Sequence, residues 1–183
     1  MLIASFFLIL IFKFQHSSQI DIEQINTQEQ NQEKLFGLPV RLKIPTIEVD
    51  AVVEQVGLTP GGAMDTPKGP ENVAWFNLGT RPGDSGSAVM TGHYGTWKNG
   101  QGSVFDNLHK LRPGDKISIV DENGEIVSFV VRESRNYEPS ADAVDVFSSD
   151  DEKSHLNLIT CEGTWNKDSK SYSERLVVFA DKE

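Results

Sequence analysis

The stretch KISIVDENGEIVSFVVRES, residues 116–134, constrains the fold more than any other. Ile117 and Ile119 alternate with polar partners, Asn123-Gly124 supplies a tight turn, and Val127, Phe129 and Val131 share one face. Alternation at period two on either side of an Asn-Gly turn is the signature of a β-hairpin. HLNLITC (155–161) and RLVVFAD (175–181) carry the same period. LPVRLKIPTIEVDAVVEQVGL has β-branched runs broken by Pro39 and Pro45, as at a sheet margin. RPGDSG sets a turn before a short strand at Ala88–Thr91, and TPGGAMDTPKGPEN reads as a long loop. SVFDNLHKLRPGD predicts one short helix, capped by Ser103 and ended by Pro113 and Gly114. Many short strands with little helix predict a mainly β domain, a closed or nearly closed β-barrel.

That domain is expected over residues 37–183. Residues 1–16 are almost wholly apolar from Leu2 to Phe12, without the basic start and small-residue cleavage site of a removable signal. They predict a signal-anchor whose first residues lie upstream of Met1, with the rest of the chain outside the cytoplasm. Residues 17–36, rich in Gln, Glu, Asn and Ser, predict a polar stalk. A net charge of −10 with scattered basic residues argues against a nucleic-acid partner.

Cys161 is the only cysteine in the 183 residues. In an exported protein an unpaired thiol is either a small buried hydrophobe or a reactive group, and counting alone leaves both open. A cysteine nucleophile needs a group that handles its proton and a donor for the substrate oxyanion. Of the four histidines, His16 and His109 sit among polar residues and read as solvated. His155 shares the face of Cys161, but six residues of strand span about 20 Å, too far to reach the thiol. His93 follows a strand in V-M-T-G-H and is either a loop histidine or an acid–base group. Arg175 lines up with Val177 and Phe179, so it marks an exposed strand end or faces a cleft. Cys161 and Arg175 flank one loop, which suits antiparallel neighbours opening onto a common rim.

T-G-H at 91–93, L-I-T-C at 158–161 and Arg175 of S-E-R-L-V-V-F-A resemble the three signature segments of sortases. These are membrane-anchored cysteine transpeptidases of Gram-positive bacteria. The resemblance covers about residues 40–182, in family order, and R-L-K-I-P-T-I-E-V-D-A-V-V is similar to the family's first strands. Within the family the likeness is to class F, through R-P-G at 81–83, Asp168, Tyr172 and V-V-F-A at 177–180. Glu162 departs from the glycine that often follows the cysteine there, and classes D and E stay open.

The resemblance implies an eight-stranded barrel. It implies Cys161 as the nucleophile on the Thr carbonyl of an L-P-x-T-G-like sorting signal, His93 as the acid–base and Arg175 as the oxyanion donor. The partners it implies are surface proteins bearing that signal and an amine of a peptidoglycan precursor or a pilin. No cofactor and no metal is implied. Tyr94, Trp97 and Trp165 are expected to wall a substrate groove or to be ordinary loop aromatics, and Thr160 is grouped with them as backing the site. The acidic run 148–152 reads as a solvated loop, with calcium ligation as the alternative. A cysteine peptidase with water as acceptor is the rival activity, and a non-catalytic surface-binding β module is the rival outside enzymes. Papain-like order, the caspase Q-A-C-x-G and the S-H-G-C of L,D-transpeptidases are all missing.

Overall fold

The computed structural model describes residues 36–98 and 100–183; the expected anchor and all but the last residue of the expected stalk lie outside them. Eight strands are formed: β1 (Pro39–Ile44), β2 (Val49–Val56), β3 (Val73–Phe76), β4 (Gly86–Gly92), β5 (Lys116–Asp121), β6 (Ile126–Tyr137), β7 (Ser154–Asn166) and β8 (Ser171–Lys182). They close into one barrel in the order β1-β2-β3-β4-β7-β8-β6-β5. β2–β3 and β4–β7 are parallel and the other pairs antiparallel.

The hairpin forms as its alternation requires, with Ile117 opposite Phe129 and Ile119 opposite Val127. These side chains point into the barrel with Leu42, Ile44, Met90, Leu156, Leu158 and Val178. Burying each large apolar side chain stabilises the fold by about 1.5–3 kcal/mol. A second, smaller cluster lies on the opposite face of β7 and β8. There Val177 and Phe179 pack against Val146 of the short helix α1 (Val144–Phe147), joined by Ile159 and Tyr137. Asn157 Nδ2 donates to the Val146 carbonyl at 2.7 Å and fastens that helix to β7. Burial on both faces is why L-V-V-F-A is a continuous apolar run rather than an alternating one. The outer face that carries Val177 also carries Arg175.

Three local expectations give way. The helix expected over 103–115 is a series of turns ending in a 3₁₀ turn, Leu108–Lys110. Phe105, Leu108 and Leu111, spaced by three, are all buried, and that spacing suits a 3₁₀ turn better than a 3.6-residue period. Ser103 does not cap a helix; its hydroxyl donates to the Gly95 carbonyl at 2.5 Å. Gly92 closes β4 opposite this turn, where a Cβ on it would lie 2.5 Å from the Phe105 ring. Cys161 is not at a strand end either, because β7 runs on to Asn166. An irregularity between Glu162 and Trp165 bends the strand there, with Gly163 at φ +83°.

Candidate active site

Cross-strand registers relate the three expected site residues to one another. On one side, Cys161 and Arg175 are direct partners across antiparallel β7 and β8. On the other, β4 pairs with β7 in parallel up to Thr91 opposite Ile159, and His93 comes two positions after Thr91 as Cys161 comes two after Ile159. Adjacent strands are about 4.8 Å apart. Strands β7 and β8 thus carry the thiol and the guanidinium as direct neighbours, and the imidazole follows the end of β4, the strand paired with β7 on its other side.

Two threonines hold that register. Thr91 Oγ1 donates to the Ile159 carbonyl at 3.1 Å, and Thr160 Oγ1 to the Gly92 carbonyl at 2.8 Å. Thr160 is only 2% exposed, so its hydroxyl is spent within the protein. It ties β7 to β4 from within the protein, one position before Cys161.

Cys161 is a free, half-buried thiol. Its neighbour Arg175 folds its guanidinium over the β7–β8 hairpin. Nη1 donates to the Tyr172 and Glu174 carbonyls at 3.2 and 2.9 Å, and Nη2 to Ser171 Oγ at 3.0 Å. The charge is therefore held by polar atoms rather than buried unpaired. Glu162, after the cysteine, lies opposite Glu174, whose carboxylate accepts from the Asn136 side chain at 2.5 Å.

His93 leaves β4 with its backbone carbonyl bonded to the Phe105 N–H at 3.1 Å. Its Nε2 lies 2.8 Å from the Pro67 carbonyl, and its ring meets Trp97 at 4.8 Å between centroids. The loop beyond is pinned by Asp106, which accepts from the Gly95 N–H at 2.7 Å and the Ser103 N–H at 2.9 Å. Gly95 sits at φ +86°, and a Cβ on it would run into the Tyr172 hydroxyl. Glycine is required there both for the backbone angle and for the close approach.

Tyr172 also stacks edge-on with Tyr94 at 5.2 Å and with Trp165 at 5.1 Å. Burial first, then neighbouring Tyr94, Cys161 and Asp106, push its phenol above the ordinary range, so it stays protonated and can donate. Trp165 remains 48% exposed. Tyr172 and Asp106 were not expected as site residues; their signal lies in contacts between the β7–β8 hairpin and the 93–106 loop. His155 and His109 lie elsewhere: His109 is exposed, and buried His155 is held between Asp181 and Asp151 at 2.7 and 2.8 Å. Asp151 belongs to the acidic run 148–152. Among the described residues no group of three or more His, Cys, Asp or Glu is placed to hold a metal ion.

Sortase C-1 from Actinomyces oris superimposes with a TM-score of 0.62 at 22% identity, over 92% of this chain and 85% of that one. A lid mutant of sortase A from Corynebacterium diphtheriae gives 0.63 at 22%, over 91% and 82%. A sortase D5 transpeptidase from Clostridium perfringens gives 0.58 at 22%, over 87% and 88%. No curated protein sequence matches the chain. At these identities the structures carry the fold, while the family model for the sortase domain matches residues 42–183. The chain belongs to the sortase family of cysteine transpeptidases.

Proposed function

We propose that Cys161 is the nucleophile of this transpeptidase, His93 its acid–base group and Arg175 its oxyanion donor. The observation that supports the reading is the direct pairing of Cys161 with Arg175 across β7 and β8, with His93 following the end of β4, which pairs with β7 up to Thr91 opposite Ile159. Cys161 Sγ attacks the carbonyl carbon of a Thr–Gly bond in an L-P-x-T-G-like signal. The developing oxyanion faces Arg175. The three bonds the guanidinium makes to its own hairpin use three of its five N–H groups, leaving two to donate. His93, holding the proton that the Cys161 thiol gave up, passes it to the departing glycine amine, leaving a thioester on Cys161. An incoming amine attacks the thioester, His93 takes its proton, and the new amide frees the thiol. Acid–base help of this kind is worth about 10²–10⁴-fold.

Tyr94, Trp97 and Trp165, stacked around His93 and Tyr172, form the wall against which the apolar part of the signal lies. The acceptor is an amine of a peptidoglycan precursor or a pilin, and residues 1–16 hold the enzyme at the outer membrane face. Among the described residues no helix is long and apolar enough to span a bilayer.

The test incubates the full-length chain with signal peptides and triglycine and weighs the products. Cleavage between Thr and Gly with a triglycine-linked product, both lost in Cys161→Ala, is expected. Hydrolysis alone at every amine concentration would favour a peptidase, and no thioacyl adduct with any peptide would remove the assignment.

A further inference from the structure

Glu54 lies on β2, outside the three strands of the site, yet both its carboxylate oxygens hold the loop that meets His93. Oε2 accepts the Lys68 backbone N–H at 3.2 Å, and Oε1 accepts the Asn72 side-chain amide at 2.8 Å. The other end of the same peptide unit, the Pro67 carbonyl, is the partner of His93 Nε2 at 2.8 Å. One peptide group therefore joins a carboxylate to an imidazole: Glu54 on its N–H side, His93 on its C=O side.

Two consequences follow from donor and acceptor roles. A carbonyl oxygen only accepts, so Nε2 is the nitrogen that carries the proton in the neutral ring, and Nδ1 is the basic one. Hydrogen bonds in series also polarise one another, so a carboxylate drawing on the peptide N–H makes its carbonyl a stronger acceptor. We propose that Glu54 is a positioning residue for transpeptidation: through the Pro67–Lys68 peptide it orients His93 and fixes the Nε2–H tautomer. Nδ1 then takes the proton that the Cys161 thiol gives up, passes it to the departing amine, and takes one from the incoming amine. Nε2 keeps its own proton throughout, and Glu54 neither gains nor loses one. The arrangement gives the imidazole the orienting partner that a triad carboxylate supplies directly, with a peptide interposed.

The inference rests on His93 being the acid–base group, and the experiment separates the two claims. The full-length chain is labelled with ¹⁵N-histidine, and the His93 signals are identified by their loss in His93→Asn. The wild-type neutral ring is expected to show a protonated Nε2 and a bare Nδ1. Glu54→Ala is expected to give a mixture of tautomers and to lower kcat on the order of tenfold with KM little changed. Glu54→Gln keeps both hydrogen bonds once the Asn72 amide turns over, so it should hold the tautomer and turn over at a rate between the two. An Nδ1–H ring in the wild type overturns the inference alone. So does a Glu54→Ala variant with unchanged tautomer and kcat. Should that variant fail to fold, the wild-type spectrum and Glu54→Gln decide. Wild-type turnover in His93→Asn would overturn the acid–base reading and this inference with it.

Discussion

Cys161 and Arg175 face each other as direct cross-strand partners on β7 and β8, and Arg175 is held there by Tyr172, Glu174 and Ser171 of its own strand. The guanidinium is a planar fork whose bonds fix its direction, whereas an ammonium is a point charge on a flexible stem. Arg175→Lys is expected to lose about 10²–10³ in kcat, the cost of one oxyanion donor. Its melting temperature should stay within a few degrees of wild type. Turnover of a fluorogenic signal peptide beside a thermal melt checks this; near-normal turnover would take Arg175 out of the mechanism.

How far the site was legible follows from where its contacts lie along the chain. The 116–134 hairpin could be read because turn and alternation are local. Val73–Phe76 could not: Val73, Ala74 and Trp75 are all buried, so the strand has no alternation. The extension of β7 past Cys161 was equally hidden, since E-G-T-W-N has no apolar period and is held by backbone pairing with β8, Trp165 opposite Tyr172. Cys161 and Arg175 flank one loop, so their meeting was foreseeable. The parallel pairing that sets the end of β4, just before His93, against β7 is announced by no local pattern; Thr91 and Ile159, bonded across it, are 68 residues apart. Pro67 and His93 are likewise 26 residues apart, and their hydrogen bond exists only in the folded chain.

Thr160→Val keeps the shape of the side chain and removes the hydroxyl that donates to Gly92. The site is buried, so the carbonyl loses this partner without gaining water. A loss of about 1–3 kcal/mol in unfolding free energy is expected, the cost of leaving such a group unpaired. Because that bond sets the step before His93, kcat should fall as well. Urea unfolding with parallel turnover measures both; unchanged values would mean the β4–β7 register is held without this bond.

Gly95→Ala introduces a methyl at a positive φ and into the space of the Tyr172 hydroxyl. It is expected to destabilise the protein by more than the roughly 1 kcal/mol of the backbone term alone. Adding Tyr172→Phe removes the obstructing oxygen and should recover part of the loss. A double-mutant cycle on unfolding free energies reads the coupling. Strict additivity would mean that the two residues do not share that space.

Asp121 closes the β5–β6 turn and anchors the chain entering β1. Its carboxylate accepts the backbone N–H groups of Gly37 at 2.6 Å, Asn123 at 2.9 Å and Glu125 at 2.8 Å. Burial alone would push its pKa up, but these donors, with the Asn123 amide, outweigh it and hold the group below the ordinary aspartate value. The unfolded chain therefore binds this proton more readily than the folded one, and stability falls as pH falls. The contribution of Asp121 is complete above the unfolded value of about 3.9. It is lost as pH drops from there through the lower folded value. Asp121→Asn should be less stable than wild type at pH 7, with a shallower decline in acid. Unfolding curves at pH 7 and at steps below pH 4 test this, and equal acid slopes for the two proteins would contradict it.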